Sequence, residues 1–136
     1  MKTDHAADLA AELQRWQNFD ECLLIGFRLV QGIYAAHLTF DYIWESEGQV
    51  RADLGRVRRP IELLLHGLES MELVGGLPDA QRRQPELLDW GITEVTLVTA
   101  EEGPAGSLRV DVWWPGERRL TFVANEAEVV EPDAPR

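Results

Sequence analysis

The sequence predicts a mainly β protein, an antiparallel β-sandwich or strongly curved sheet of about nine strands with one N-terminal α-helix. Three observations lead to this fold class. Residues 34–45 alternate at period two over a long run, several further runs alternate in the same way, and their registers match as hairpins. The 136 residues are predicted to form a single domain, 1–136, which is long enough to bury a substantial core.

Residues 4–17 are predicted to form the helix. Asp4 is a residue type that caps helices, and Leu9, Leu13 and Trp16 recur at helical spacing. These side chains form one narrow apolar stripe. We therefore expect the helix to lie on the sheet or on a partner subunit.

The longest alternating run is predicted to be the central strand, 33–45. A straight strand of that run would be about 40 Å long, so we expect a bend or a bulge within it. Its rings are expected to point together into the core. The apolar face consists of Tyr34, Ala36, Leu38, Phe40, Tyr42 and Trp44.

The preceding strand is predicted at 22–30. If residues 31 and 32 form a two-residue loop, apolar side chains meet at every position of the resulting hairpin. A register slip of one residue would destroy this match. The predicted pairs are Leu29–Tyr34, Phe27–Ala36, Ile25–Leu38 and Leu23–Phe40.

The following strand is predicted at 49–55, after a three-residue loop at 46–48. This loop places Gly48 at the left-handed position that such loops require. A two-residue loop would instead place charged side chains opposite the aromatic rings. The predicted pairs are Trp44–Val50, Tyr42–Ala52 and Phe40–Leu54.

The rest of the chain continues the antiparallel pattern, with a polar loop at 78–91 and a C-terminal tail that we expect to fray. The further strands are predicted at 60–66, 70–74, 92–99, 107–114, 118–124 and 127–130. Glu101 to Gly106 is predicted to be a loop. A third hairpin is predicted from three apolar pairs, Val112–Leu120, Val110–Phe122 and Leu108–Ala124.

The formal net charge is −11, which restricts the class of partner. A chain this acidic repels phosphate backbones and anionic lipids, so we expect neither nucleic acid nor a membrane as a partner. A basic protein surface is favoured, although the charge also serves plain solubility. No apolar run approaches the roughly 18 residues of a membrane span, and residues 1–13 lack the apolar region of a signal peptide. We expect a cytoplasmic protein.

No pattern of catalytic, metal-ligating or cofactor-binding residues stands out, so we expect neither an enzyme nor a bound cofactor. Cys22 opens an apolar run, which is typical of a buried thiol. His37 shares a strand face with Asp41 and Glu45, but strand residues four apart lie about 13 Å from each other, too far to share one metal ion. For His37 and His66 the sequence indicates no role.

Two features are typical of a contact surface. Trp113 lies on the outward face of its predicted strand, where an exposed ring would be an anchor for a partner. A second sheet or the 78–91 loop would alternatively cover it. The other feature is the acidic end of the second hairpin, formed by Asp41, Glu45 and Glu47, with residues 20–21 near it across the first hairpin. It would meet a basic protein or form a water-facing rim.

Three segments resemble small bacterial immunity proteins of polymorphic toxin systems. Residues 16–21, Trp-Gln-Asn-Phe-Asp-Glu, resemble the Trp-x-x-Phe-His-Asp entry of that group. Residues 61–68 with 71–73 resemble its apolar strand, glycine and short strand, and residues 120–122 with 127–129 resemble its final hairpin. The resemblance implies a non-enzymatic protein that binds and neutralises a toxin, and it carries over no defined site residues.

The sequence thus favours a protein-binding domain, with toxin neutralisation by occlusion of a basic active-site cleft as its sharpest form. A small-molecule or carbohydrate-binding sandwich is the alternative, with Trp113, Trp90 or Tyr42 lining a pocket. A hydrolase whose residues converge only in space is the third. Homodimerisation through an unpaired sheet edge or the N-terminal helix is also compatible with the pattern.

Overall fold

The computed structural model describes residues 2–30, 34–45, 49–74, 94–115 and 118–132. Within these ranges, nine strands form two antiparallel sheets, and one α-helix lies near the N-terminus. The predicted fold class is confirmed.

The helix α1 spans Ala6–Arg15. The strands are β1 Lys2–Thr3, β2 Leu23–Val30, β3 Ala35–Asp41, β4 Pro60–His66, β5 Ser70–Val74, β6 Leu97–Glu102, β7 Leu108–Trp113, β8 Arg119–Ala124 and β9 Glu126–Val130. The first sheet has the order β1-β9-β4-β3-β2, and the second has the order β5-β8-β7-β6. The two-residue β1 was not anticipated from the sequence.

The helix is shorter than the predicted 4–17 at both ends, because it begins after His5 and not after Asp4, and because Gln17 already has a positive φ of 56°. His5 precedes the first helical residue in an extended conformation, and its side chain makes no capping bond. The apolar stripe lies where the sequence places it, since Leu9 and Leu13 are fully buried. The helix contacts β6 and β9, so it packs against strands of both sheets.

The central strand is confirmed over Ala35–Asp41, which is shorter at both ends than the predicted 33–45. Ala36, Leu38, Phe40 and Tyr42 are all buried. Tyr34, however, is 74% exposed, so its predicted place in the core is wrong. Its left-handed backbone, with φ of 47°, lies outside the extended region of a strand. The strand also ends at Asp41, before the predicted limit.

The register of the first hairpin differs from the prediction by two residues. Leu29 pairs with Ala36 rather than with Tyr34. A shift of two keeps the same side chains on the same face, so the apolar match is preserved. A further irregularity between Leu24 and Gly26 shifts the register by one, and Leu24 rather than Leu23 pairs with Phe40. The predicted loop residues 31 and 32 lie outside the described residues.

The predicted strand 49–55 is wrong beyond its first pair. Trp44 and Val50 do form an isolated antiparallel bridge, as expected. The chain then turns, because the Arg51 side chain, only 5% exposed, points inward to the Asp41 carboxylate at 3.5 Å. Phe40 is consequently paired with Ile61 of β4 instead.

The chain passes from one sheet to the other at two neighbouring places, which form a shared corner. β4 continues into β5 through residues 67–69, and β8 continues into β9 through Asn125. Asn125 donates its backbone N–H to the carbonyl oxygens of His66 and Gly67, at 3.0 and 3.2 Å. Gly67 has a φ of 63°, and an added Cβ would meet the Asn125 side chain. The corner therefore favours glycine.

The second half of the chain follows the prediction with one shift. β4 and β5 match the strands predicted at 60–66 and 70–74. β7, β8 and β9 match, within a residue, the strands predicted at 107–114, 118–124 and 127–130. The three predicted pairs of the β7–β8 hairpin are confirmed. The strand predicted at 92–99 is instead β6, which begins at Leu97 and includes Glu101 and Glu102 of the predicted loop. Residues 92–93, the 78–91 loop and residues 133–136 of the tail lie outside the described residues.

One continuous core connects the helix and both sheets. Its largest fully buried side chains include Trp114, Phe19, Phe40, Phe122, Leu9 and Leu13. Cys22 is also fully buried, as predicted. No helix in the described part of the chain is long and apolar enough to cross a membrane.

Candidate functional site

The segment that joins α1 to β2 has an unusual backbone. Gln17, Asn18, Phe19 and Glu21 all have positive φ angles, between 51° and 61°. A left-handed conformation costs a non-glycine residue about 1–2 kcal/mol. Such strain persists only where the surrounding structure enforces it, and it is concentrated at functional sites. We call residues 17–21 the left-handed turn.

The turn is held by its own hydrogen bonds and by the core. The Phe19 N–H donates to the Trp16 carbonyl oxygen, and the Asp20 N–H donates to the Gln17 carbonyl oxygen, both at 3.0 Å. The Asn18 side-chain amide donates to the Val98 carbonyl oxygen in β6, also at 3.0 Å. The Asn18 hydrogen bond therefore fixes the turn to the second sheet.

Aromatic stacking attaches the same turn to the first sheet. The fully buried Phe19 ring lies parallel to Phe40 of β3, with ring centroids 4.3 Å apart. On the other side, Glu21 donates its N–H to the Val95 carbonyl oxygen, and Val95 donates back to Cys22, both at 2.8 Å. Because both sheets hold the turn, its exposed side chains are displayed on a preformed surface.

A groove of about 380 Å³ lies beside the turn. Three aromatic rings form its floor: Trp16, Tyr42 and Trp44. Trp16 and Tyr42 meet edge to face, with centroids 5.1 Å apart. The Trp16 indole N–H donates to the Glu12 carboxylate at 3.3 Å, and the Trp44 indole N–H donates to the Asp20 carbonyl oxygen at 2.7 Å. Both indole N–H groups are therefore satisfied within the protein.

The charged side chains of the groove are partly paired with each other. Arg59 lies over the Tyr42 ring, 5.7 Å from its centroid, and pairs with Glu131 at 3.3 Å. Arg15 pairs with Glu12 at 3.1 Å. Glu45, the remaining charged residue of the lining, is exposed. It forms no ion pair with any residue that the structure describes.

Three further exposed carboxylates lie at this end of the sandwich. Asp20 and Glu21 belong to the left-handed turn, and Glu94 precedes Val95, which is hydrogen-bonded to that turn. Within the described ranges, none of the three forms an ion pair. We call the left-handed turn, the groove and Glu94 together the motif end. It carries negative charge beside half-exposed aromatic rings.

The structure separates the residues proposed from the sequence. Glu45 lies at the motif end, together with Asp20 and Glu21, which the first hairpin was expected to bring there. Asp41 is only 15% exposed, and its carboxylate accepts a hydrogen bond from the Arg59 N–H at 3.0 Å, so it stabilises the bend after β3. Glu47 lies outside the described residues.

Trp113 lies elsewhere, on the outer face of the second sheet. Its indole N–H donates to the Thr99 hydroxyl at 3.2 Å, and Arg119 lies 4.9 Å from its ring centroid. The ring is therefore engaged with neighbouring strands. Sequence reasoning placed Trp16 on the apolar stripe of the helix and Trp44 on the core face of the central strand, and it named neither as a ligand-binding residue. Both are instead only partly buried and line the groove.

Burial suppresses the reactivity of the only cysteine. Removal from water raises the pKa of the Cys22 thiol to about 12. The thiol therefore stays protonated near neutral pH, and thiolate chemistry has no support at this position.

The outer face of the first sheet brings two histidines together. Nε2 of His66 lies 3.1 Å from Oε1 of Glu128. The Arg28 guanidinium donates a hydrogen bond to Nδ1 of His37 at 2.9 Å. Burial, together with the Arg28 charge, lowers the pKa of His37. The His66–Glu128 pair is the kind of contact that the hydrolase hypothesis requires, but it lies outside the groove.

This histidine face lacks the other parts of a catalytic site. In the described part of the molecule, no hydroxyl or thiol hydrogen-bonds to the His66–Glu128 pair. A shallow hollow of about 290 Å³ nearby is lined by His37 and Glu62 but not by that pair. Among the described residues, no group of three or more His, Cys, Asp and Glu side chains is arranged to hold a metal ion.

Comparison with known proteins adds no family to this picture. No protein-family model matches the chain. A search of curated proteins likewise finds no significant match. The site must therefore be interpreted from its own geometry.

Proposed function

We propose that this protein is a non-enzymatic binding domain that recognises a basic protein through the motif end. One observation carries the proposal. Exposed carboxylates without an ion pair among the described residues, on Asp20, Glu21, Glu45 and Glu94, lie at the same end of the molecule as the half-exposed Trp44. The net charge of −11 adds a long-range attraction for a basic partner.

The parts of this surface have distinct physical roles in binding. Carboxylates steer a basic partner and accelerate association more than they deepen affinity. Tryptophan rings are the residue type that most often dominates the binding energy of an interface. Because the left-handed turn is held by both sheets, the surface loses little conformational entropy when a partner binds.

Toxin neutralisation is the most specific version of this proposal. Residues 16–21, which carry the resemblance to bacterial immunity proteins, form the left-handed turn and its first aromatic ring. The mechanism would be occlusion, in which the acidic motif end covers the basic substrate-binding cleft of a nuclease-like toxin. A bacterial protein that acts in the cytoplasm, where such a toxin meets nucleic acid, is part of the same proposal.

The test is to identify the product of the neighbouring gene and, where it is a toxin-like protein, to co-express it with this protein. The triple variant Asp20→Asn, Glu21→Gln and Glu45→Gln removes three charges from the motif end. We expect slower association and a weaker salt dependence, with the association rate falling about tenfold or more, and loss of protection of the host cell. The matched control removes exposed carboxylates from another region: Glu69→Gln, Glu72→Gln and Glu102→Gln.

Equal loss of binding in both triple variants would show that only the net charge matters and that the motif end is not the site. A neighbouring gene that encodes no toxin, together with no binding to any basic protein tested, would contradict the proposal as a whole.

A small-molecule or carbohydrate ligand is the second candidate, and the groove favours it. Its volume of about 380 Å³ falls in the range of ligand sites. Tyr42, which the sequence nominated for such a pocket, lines the groove together with Trp16 and Trp44. The test is a glycan array followed by tryptophan fluorescence titration. Binding that is lost in Trp44→Ala but kept in the charge triple variant would favour this function over the first.

A homodimer is the alternative to a foreign partner. Both β2 and β5 are edge strands, and each carries exposed apolar side chains, Phe27 and Leu29 on the first and Met71 and Leu73 on the second. Exposed apolar edges favour pairing with another chain. Light scattering over a concentration series would measure the mass, and a monomer at every concentration would exclude this alternative.

A further inference from the structure

We infer that the groove of the motif end receives an arginine side chain of the basic partner, between the face of Trp44 and the carboxylate of Glu45. This inference rests on the proposed function and specifies which group of the partner is recognised. It is carried by a pair of contacts that the protein already makes within the same groove.

Arg59 provides the internal precedent. Its guanidinium lies 5.7 Å from the centroid of the Tyr42 ring and 3.3 Å from the Glu131 carboxylate. A guanidinium is thus bound by one aromatic face and one carboxylate at the groove. This combination joins a cation–π contact to a charge-assisted hydrogen bond.

The other half of the groove has the same two parts. Trp44 is half-exposed and lines the groove, and its N–H is already bonded to the Asp20 carbonyl oxygen, so a ligand would contact the ring through its π system and not through the N–H. Glu45 follows it directly in the chain and is exposed. Among the described residues, no cation lies over Trp44 and none pairs with Glu45. Tryptophan is a better cation–π acceptor than tyrosine.

The two arginines of the groove oppose a further cation, but each is neutralised. Arg15 pairs with Glu12, and Arg59 pairs with Glu131. The carboxylate of Glu45 is therefore the charge of the groove that has no ion-pair partner among the described residues. A guanidinium also stacks on rings better than an ammonium does, because it is planar and more weakly hydrated.

The test uses N-acetyl-arginine amide as the probe, with N-acetyl-citrulline amide as the matched control of nearly equal shape and no charge. Indole ¹H–¹⁵N signals of the folded protein report binding. We expect a saturable shift of the Trp44 and Trp16 signals with a dissociation constant on the order of 10 mM for so small a probe. The citrulline probe is expected to produce no saturable shift, and the lysine analogue a weaker one.

Two variants complete the experiment. Glu45→Gln keeps the groove and is expected to weaken arginine binding about two- to fivefold, which corresponds to the loss of one exposed charge contact. Glu72→Gln makes the same change in β5 and is expected to have no effect. Equal responses to arginine and citrulline, or a Glu45→Gln affinity equal to that of the unmodified protein, would overturn the inference.

The outcomes separate this inference from the proposed function. If a basic partner binds and the charge triple variant weakens it, but Glu45→Gln alone and arginine amide have no effect, the proposed function stands and the inference is wrong. If arginine amide binds at Trp44 while no basic protein does, the inference stands and the proposed function is wrong.

Discussion

The left-handed turn allows backbone strain to be measured separately from a hydrogen bond. Asn18 has a φ of 51°, and its side-chain amide donates to the Val98 carbonyl oxygen at 3.0 Å. Asn18→Ala loses this hydrogen bond, which contributes about 1 kcal/mol to the free energy of unfolding. Alanine also tolerates the left-handed region less well than asparagine, at a cost of about 1 kcal/mol. We therefore expect a loss of about 2 kcal/mol.

Asn18→Gly removes the same hydrogen bond without the Cβ strain. Glycine adopts positive φ freely, although it has more entropy to lose on folding. We expect it to lose about 1 kcal/mol, roughly half the loss of the alanine variant. In a protein of this size, the two losses correspond to decreases of about 6 °C and 3 °C in Tm. Urea unfolding followed by circular dichroism measures both variants.

Ala105→Gly is the matched control, because Ala105 also has a positive φ, of 54°, and is exposed. It relieves strain without breaking a side-chain hydrogen bond, so it is expected to be neutral or to stabilise by up to about 1 kcal/mol. Equal losses in Asn18→Ala and Asn18→Gly would refute the reasoning, since the turn would then carry no backbone strain at this position.

Three further predictions test the core, the histidine face and the corner. Because burial raises the pKa of Cys22 to about 12, stability should fall as pH rises from 9 towards 12, and native protein at pH 8 should react with iodoacetamide far more slowly than unfolded protein. Because the folded-state pKa of His37 is lowered, its stabilising contribution should be complete above the unfolded value of 6.5 and be lost below it, and NMR titration should show His37 titrating at lower pH than free histidine. Gly67→Ala should destabilise by about 2 kcal/mol, because Gly67 has a positive φ and an added Cβ would also crowd the Asn125 side chain, whereas Gly55→Ala meets no atom and should lose only about 1 kcal/mol.

Each of these has a result that contradicts it. Rapid alkylation of native Cys22 would mean that the thiol is accessible. Normal titration of His37, or an unchanged pH dependence of stability in His37→Gln, would mean that Arg28 and burial do not act on the ring. Equal losses at the two glycines would mean that the corner accommodates a side chain.

The sequence was sufficient to predict the fold because period-two alternation determines which face of each strand is buried. The β7–β8 hairpin shows this, since all three of its predicted pairs are correct. The first hairpin shows the limit. Pairing Leu29 with Tyr34 or with Ala36 leaves the same faces apolar, so alternation alone does not distinguish registers that differ by two.

The wrong strand at 49–55 has a different cause. Val50, Ala52 and Leu54 matched the facing residues in pattern, but Arg51 turns inward to reach Asp41, and the chain leaves the sheet. An ion pair between residues ten positions apart leaves no signal in the period-two alternation. Part of the candidate site was accessible from sequence, because Glu45 was named and residues 20–21 were expected near it. The groove was not, because it depends on Trp16 and Trp44, which lie 28 positions apart in the sequence and are brought together by the turn.

The strained turn and the candidate site coincide, and this coincidence favours a functional explanation of the strain. Glycine adopts positive φ most freely, yet residues 17–21 contain none. The side chains present instead build the surroundings of the groove: Phe19 locks the turn to Phe40, and Asp20 holds the Trp44 indole through its carbonyl oxygen. Asn18→Gly therefore distinguishes two cases. If it changes stability but leaves the arginine response of Trp44 intact, the turn is a scaffold. If the response is lost from a folded protein, the rigidity of the turn is itself part of recognition.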